Sequence, residues 1–186
     1  GIHFNTEELQ FLADTQTGVA HCPCSNMKLS SGIARIPEML KLGVPVGLAV
    51  DGSASNDNSN LLEELRVAYL LHRLNSGAEA PSGYDLLKMA TRGSAKLLGR
   101  GKLGQIAAGC AADLFAIRYD RLEMTCAGLD EANLFGTVGY SRPVDAVWVN
   151  GKQTVQDGNL LLIDEKKAAA ESRAEVDRLL SAGMGH

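Results

Sequence analysis

The 186-residue sequence predicts an α/β fold in which parallel β/α units come first, followed by a small β region and a C-terminal helix. Short helical patterns alternate with fully apolar runs over residues 1–100, an order that is typical of parallel sheets. An Asn-Gly pair at 150–151 and an Asp-Gly pair at 157–158 mark hairpin turns in a later β region. A charged, alanine-rich segment over 164–182 predicts one long helix with an exposed face.

The elements of the first 100 residues are predicted from apolar periodicity and from end signals. They are two fully apolar strands and a set of helices, with strands over 18–22 and 44–50, helices over 5–15, 33–43 and 61–74, and one or two helices over 84–98. Asn5 and Glu8 have capping-box spacing, and Asn60 and Glu63 repeat it at the start of the helix over 61–74. Gly43 provides a glycine stop.

The polar loops that follow the two apolar strands are the predicted location of the chemistry, because parallel folds place their sites at the carboxyl ends of strands. One loop begins after Cys22 and the other follows Asp51. Beyond residue 100 the sequence changes character. A strand is predicted over 113–118 and two more within 144–161.

Composition excludes several classes of protein. The net charge of −4 and the pI near 5.6 give no basic stripe, so no nucleic-acid partner is expected. No apolar run approaches the roughly 18 residues of a membrane span, and no secretory signal opens the sequence. Four cysteines are too few for a disulfide framework. We therefore expect a cytoplasmic protein without a membrane partner.

The stretch HCPCSN, residues 21–26, places one histidine and two cysteines within four positions. A structural zinc site needs four ligands, commonly as two spaced pairs, and no second cluster exists in the sequence. We therefore expect Cys22 and Cys24 to be small side chains at a strand end rather than metal ligands. His21 closes a buried strand and is a candidate for contact with a ligand. His72, within the helix predicted over 61–74, is expected to be a surface or partly packed histidine.

Asp51 is the stronger metal candidate, because an apolar run leads directly into its carboxylate. An ionised carboxylate at the end of a buried strand needs a cation or hydrogen-bond donors. A divalent metal would supply that cation, although an aspartate that caps the following turn explains the same pattern. Ser53, Ser55, Asn56 and Asp57 lie in the same loop and are either donors to the site or turn residues.

Four segments of the sequence resemble the amidohydrolase superfamily. HCPCSNMKLSSGIARIPEMLKLGVPVGLAVDGSASND (21–57) resembles the last barrel strands of the branch that contains the cytosine and guanine deaminases and the triazine hydrolases. Within that branch it is most similar to the 8-oxoguanine deaminases. GKLGQIAAGCAADL (101–114) resembles the segment where such chains leave the barrel, and DAVWVNGKQTVQDGNLL (145–161) resembles strands of their small β-sandwich domain.

The resemblance implies the C-terminal part of a (β/α)₈ TIM-like barrel, followed by strands of a small β-sandwich domain and a C-terminal helix. The expected division is barrel over 1–100, sandwich strands over 101–163, and helix and tail over 164–186. GIHFNTEEL, at 1–9, resembles the segment that follows the last metal-binding histidine of such enzymes. The family's His-x-His pair and middle-strand histidines are absent, so the isolated chain is expected to be inactive.

The intact enzyme implied by the resemblance is a metal-dependent hydrolytic deaminase of an aminopurine-like ring, of the 8-oxoguanine or guanine type. Asp51 would bind one divalent metal ion, zinc or alternatively iron, and would move a proton from water to the departing nitrogen. His21, Asn26 and Ser53 would contact the heterocyclic substrate.

Two alternatives stay open at this point. The substrate could instead be a triazine, a pterin or S-adenosylhomocysteine. The chain could also be a non-catalytic fragment or subunit half that acts only through association with the missing part. An open half-barrel exposes strand edges, which favour association with other chains. We therefore expect a homo-oligomer.

Overall fold

A computed structural model of the chain describes residues 1–183, and it has α/β architecture. Residues 184–186, the end of the predicted tail, lie outside the described residues. The chain forms two compact units: the first comprises Gly1–Ala111 and Tyr119–Arg142, and the second comprises Ala112–Arg118 and the described residues from Pro143 onward.

The first unit contains a pair of parallel strands surrounded by helices. Its elements are α1 (Thr6–Asp14), β1 (Val19–His21), α2 (Pro23–Lys28), α3 (Ile36–Leu42), β2 (Val46–Leu48), α4 (Leu61–Ser76), α5 (Gly83–Lys88), a π-helical turn (Met89–Gly93), α6 (Ser94–Leu97) and α7 (Leu134–Thr137). Short 3₁₀ turns occupy Gly77–Glu79, Leu122–Met124, Ala127–Leu129 and Glu131–Asn133. Strands β1 and β2 pair in parallel, with His21 opposite Leu48.

The predicted ends of α1 and α3 are confirmed. The Asn5 side chain accepts from the Glu8 amide at 2.9 Å, and the Glu8 carboxylate accepts from the Asn5 amide at 2.8 Å. This reciprocal pair satisfies two amides that the first turn of a helix leaves without partners. Gly43 ends α3 with φ of 82°, a left-handed conformation that glycine adopts without steric cost.

The predicted cap of α4 is confirmed only in part. The Asn60 side chain accepts from the amides of Leu62 and Glu63. The Glu63 carboxylate instead accepts from the side chain of Asn58, so the second half of the capping box is replaced by a contact within the preceding loop.

Two segments of the first unit differ from the sequence prediction. The polar loop predicted after β1 is in part a helix, α2, which begins at Pro23. Proline suits the first helical position because its missing amide proton would have no partner there. The helices of 119–142, including α7, were not predicted. Their signals are weak because each is three or four residues long.

The core of the first unit is formed by apolar residues of α1, α3, β2, α4, α5 and the π turn. Its fully buried members are Leu9, Ile36, Met39, Leu65, Ala68 and Leu86. The predicted helical region over 84–98 is α5, the π turn and α6. The π turn packs closely on β2, since a Cβ added at Gly93 would lie 2.3 Å from the Val46 carbonyl oxygen.

The second unit is an antiparallel sheet of β3 (Leu114–Ala116), β4 (Ala146–Val149), β5 (Lys152–Gln156) and β6 (Asn159–Leu160) in that order, followed by α8 (Glu165–Gly183). Both predicted hairpin turns are confirmed, with positive φ at Asn150-Gly151 and at Asp157-Gly158. Helix α8 was expected to be exposed on one face, yet it has no buried residue in the structure. Within residues 1–183, no helix has the length and apolar content that crossing a membrane requires.

Candidate active site

Asp51 lies in the loop that follows β2, with its side chain exposed. Its backbone φ is 68°, a left-handed conformation that aspartate tolerates better than most residues. The carboxylate accepts a hydrogen bond at each oxygen: Oδ2 from Ser25 Oγ at 2.6 Å and Oδ1 from the Gly52 amide at 2.7 Å. These bonds, that of Ser25 first, lower the pKa of Asp51. Asp51 is therefore an oriented, ionised carboxylate at neutral pH.

The parallel pairing of β1 and β2 brings the two predicted loops to the same edge of the sheet. Ser25 belongs to α2, which follows β1 directly, and Asp51 belongs to the loop after β2. The hydrogen bond between them joins the two loops across 26 residues of sequence. The prediction that Asp51 follows a fully buried parallel strand is confirmed.

Glu64 is a buried carboxylate beside these loops, with 1 % of its surface exposed. Its Oε2 accepts from the Cys24 amide at 3.1 Å and its Oε1 accepts from Asn56 Nδ2 at 2.5 Å. Burial raises the pKa of Glu64, and the hydrogen bonds from Cys24 and Asn56 oppose that rise. Sequence reasoning missed Glu64, although it occupies a position on the buried face of α4, one turn before Ala68.

His21 and His72 form a second buried polar pair. Their Nε2 atoms lie 3.0 Å apart, and the residues are 1 % and 0 % exposed. Burial, and then the proximity of His72, lowers the pKa of His21 to about 3. Neither Nδ1 atom has a hydrogen-bond partner among residues 1–183. The expectation that His72 is a surface or partly packed residue is wrong, because α4 turns it into the interior.

Burial also governs the cysteines of HCPCSN. Burial raises the pKa of Cys22. Burial, together with a hydrogen bond to Glu64, raises the pKa of Cys24 to about 12. Both side chains are half-buried, Cys22 just after β1 and Cys24 in the first turn of α2. Their surroundings therefore favour the neutral thiol over the thiolate that binds metals.

The remaining predicted site residues lie in the same two loops. Asn26 is half-buried in α2, and Ser53 is exposed two residues after Asp51. The part of the chain that the structure describes contains no group of three His, Cys, Asp or Glu side chains arranged to hold a metal ion. Asp51 would therefore be one ligand of a metal rather than a complete site.

Comparison with known proteins identifies one family for this chain. Residues 1–154 match the model of the Amidohydrolase family. The chain is 43% identical over 172 residues to hydroxydechloroatrazine ethylaminohydrolase of Pseudomonas sp. (strain ADP), covering 91% of this chain and 36% of that protein. It is 42% identical over 181 residues to 8-oxoguanine deaminase of Pseudomonas aeruginosa, covering 97% of this chain and 40% of that protein.

Solved structures give the same result. Atrazine chlorohydrolase from Arthrobacter aurescens TC1, complexed with zinc, superposes with a TM-score of 0.88 at 36% identity, over 93% of this chain and 39% of that one. An adenosine deaminase from Xanthomonas campestris with bound zinc superposes with a TM-score of 0.87 at 27% identity, over 97% and 41%. The chain thus spans about 40% of the length of these relatives.

Proposed function

The chain belongs to the amidohydrolase family, and we propose that it is the C-terminal part of a metal-dependent hydrolytic deaminase that acts on an aminopurine-like ring, of the 8-oxoguanine or guanine type. The observation that carries the proposal is the Asp51 carboxylate. It is ionised and held at both oxygens, and it lies past the carboxyl end of a buried parallel strand. Catalytic residues of parallel β/α folds occupy that position.

We further propose that β1 and β2 are the last two strands of a (β/α)₈ barrel. The parallel pairing, the helices around it and the similarity to barrel enzymes support this. The proposed division is barrel over 1–100, sandwich strands over 101–163, and helix and tail over 164–186. Residues 101–111 and 119–142 pack in the first unit, and we assign the four-stranded sheet of the second unit to the proposed sandwich.

Among residues 1–183, Asp51 is the residue that we propose as a metal ligand. An ionised carboxylate with unused lone pairs suits a divalent cation, and zinc is the ion in two of the similar solved structures. The other ligands would come from the part of the enzyme outside this chain. When bound, such an ion supplies Lewis acidity and lowers the pKa of a coordinated water.

The Asp51 carboxylate would move the proton of the reaction. Hydrolytic deamination removes a proton from the attacking water and delivers one to the departing ring amine. A carboxylate that is ionised at neutral pH accepts the first and returns it, with no large movement between the two transfers. Ser25 and the Gly52 amide hold the two oxygens in one orientation throughout. His21, Asn26 and Ser53 remain our proposed contacts for the ring.

A second candidate function is a non-catalytic fragment or subunit half. It is supported by the lack, among residues 1–183, of any group of three side chains that could hold a metal ion, and by the short parallel sheet of only two strands. Metal analysis separates the candidates. If the chain contributes to a catalytic centre completed by other residues, zinc or iron is stoichiometric in that assembly and is lost when Asp51 is changed.

The substrate class is tested with the complete enzyme, meaning this chain together with the remaining part of the barrel. Release of ammonia or alkylamine is measured from 8-oxoguanine, guanine, a pterin, S-adenosylhomocysteine and an aminotriazine. The last two represent classes on which similar proteins act. We expect the highest kcat/KM for an aminopurine. A kcat/KM that is tenfold or more higher for the aminotriazine or for S-adenosylhomocysteine would contradict the aminopurine assignment.

A further inference from the structure

Glu64 closes a ring of contacts around Asp51. From α4, its carboxylate accepts from the Cys24 amide and from Asn56 Nδ2. Cys24 is covalently joined to Ser25, which donates to Asp51. Hence one carboxylate oxygen of Glu64 fixes the backbone directly before the serine that orients Asp51.

The other half of the ring runs through the loop of Asp51 itself. Asn56 Nδ2 donates to Glu64 Oε1 and also to the carbonyl oxygen of Val50, at 2.8 Å. Val50 is covalently joined to Asp51. The second carboxylate oxygen of Glu64 therefore fixes the backbone directly before the aspartate. Each side of the Ser25–Asp51 hydrogen bond is thus one residue away from an anchor on Glu64.

We infer that Glu64 is a positioning residue for the Asp51 carboxylate, holding the loops after β1 and β2 in register so that Ser25 and Asp51 keep their hydrogen bond. The inference rests on the proposed function only in that Asp51 is taken as the proton-carrying ligand. Burying a carboxylate is costly, and the donors that offset the cost here come from the two loops that carry the site.

Both carboxylate oxygens of Glu64 must act as hydrogen-bond acceptors, because each faces a donor. The Asn56 side chain cannot simply reverse, because its Oδ1 accepts from the Asn58 amide while its Nδ2 donates to Val50. In Glu64→Gln one oxygen becomes an NH₂ group, which must face either the Cys24 amide or the Asn56 NH₂, donor against donor. Glu64→Gln therefore breaks one of the two anchoring hydrogen bonds while it keeps the volume of the side chain. Glu64→Ala removes both hydrogen bonds.

The test compares Glu64→Gln, Glu64→Ala and Glu63→Gln in the complete enzyme. Glu63 is the matched control because it is the preceding residue on α4, is exposed, and contacts Asn58 rather than Cys24 or Asn56. We expect kcat to fall roughly 10- to 100-fold in the Glu64 variants, more for alanine, because small misplacements of a reacting group have effects of this size. KM should change less than kcat, because the hydrogen bonds of Glu64 are to Cys24 and Asn56 rather than to the proposed ring contacts.

A second readout needs neither metal nor substrate. The amide proton of Gly52 donates to Asp51 Oδ1, so its NMR resonance in this chain reports where the carboxylate lies. We expect this resonance to move upfield in Glu64→Gln, towards its position in Asp51→Asn, and to stay in place in Glu63→Gln. Should Glu64→Gln fail to fold, Asn56→Ala removes one anchor from the opposite side and must shift the same resonance.

The outcomes separate the two proposals. If the complete wild-type enzyme releases no amine from any substrate of the panel, the proposed function fails, while the Gly52 resonance still decides the role of Glu64. If the enzyme is active but Glu64→Gln keeps its kcat and the Gly52 resonance is unmoved, the positioning role is wrong. A loss of stability alone, with kcat per folded molecule unchanged, would likewise show that Glu64 only supports the fold.

Discussion

His21 and His72 face each other inside the first unit, with their Nε2 atoms 3.0 Å apart. A hydrogen bond between two ring nitrogens needs one N–H donor and one lone pair, so the accepting ring is neutral. Burial lowers the pKa of both, that of His21 to about 3. In the unfolded chain the same groups titrate at about 6.5, so the unfolded state binds more protons below that pH.

Folding stability should therefore be intact above about pH 6.5 and should fall progressively as the pH drops towards 3. The slope of the free energy of unfolding against pH approaches about 1.4 kcal/mol per pH unit for each histidine that stays neutral in the folded state. Urea unfolding of the chain at pH 7, 6 and 5 measures it. The variant His72→Leu should flatten the slope, whereas His3→Gln, which removes an exposed histidine, should not. Equal slopes in the wild type and His72→Leu would show that the pair does not control the pH response.

The thiols of HCPCSN should react slowly. Alkylation proceeds through the thiolate, and the pKa of Cys24 is raised to about 12 by burial and by its hydrogen bond to Glu64. In the folded chain at pH 7.5, we expect iodoacetamide to modify Cys24 at least about tenfold more slowly than the exposed Cys126. Peptide mass spectrometry over a time course gives both rates. Faster labelling of Cys24 would indicate the activated thiolate of a metal or redox site.

If Cys22 and Cys24 are not metal ligands, the metal content of the complete enzyme should not depend on them. If Cys22 and Cys24 are packing residues, changing both to alanine should leave the metal content of the complete enzyme unchanged. Loss of about one metal ion per chain in the double variant, measured by elemental analysis, would indicate that Cys22 and Cys24 are metal ligands.

The contact between the π turn and β2 should tolerate no side chain at Gly93. In Gly93→Ala the new Cβ would lie 2.3 Å from the Val46 carbonyl oxygen, so the backbone must shift. We expect a loss of about 1–3 kcal/mol in the free energy of unfolding, the usual cost of overpacking. Gly101→Ala is the control, because an added Cβ there meets no atom within 4 Å. Similar urea midpoints for the two variants would contradict this packing.

The 186-residue chain by itself should release no ammonia from 8-oxoguanine, guanine or related aminopurines and pterins. The reason is that residues 1–183 offer no cluster of three metal-binding side chains, whereas catalytic zinc sites use about three protein ligands. A coupled ammonia assay with added zinc tests this. Turnover above background, without a partner chain, would mean that the chain assembles a site by itself.

The strands, the main helix caps and the place of Asp51 could be predicted because their signals are local. Apolar runs, capping residues and glycine stops all act within a few positions, and the structure confirms them at α1, α3, β1 and β2. The resemblance to amidohydrolases added the family, which residues 1–154 confirm.

The buried polar residues could not be predicted in the same way. Glu64 is stabilised by Cys24, 40 positions earlier, and His72 by His21, 51 positions earlier. Neither partner can be identified before the fold is known. The available signal was their register, since both lie on the buried face of α4 with Leu65 and Ala68. A polar residue on such a face needs a tertiary partner and is therefore a candidate for a structural or functional role.

Comparison of Asp51→Asn with Asp57→Asn in the complete enzyme decides whether Asp51 moves the proton. Both aspartates lie in the loop after β2, but Asp57 is exposed and pairs with Lys28. Because asparagine keeps the shape of Asp51 and removes its base and charge, kcat should fall about 100-fold or more, with the urea midpoint of unfolding unchanged. Asp57→Asn should keep kcat within about twofold, as is usual for an exposed surface substitution. Near-normal kcat in Asp51→Asn would show that Asp51 does not move the proton.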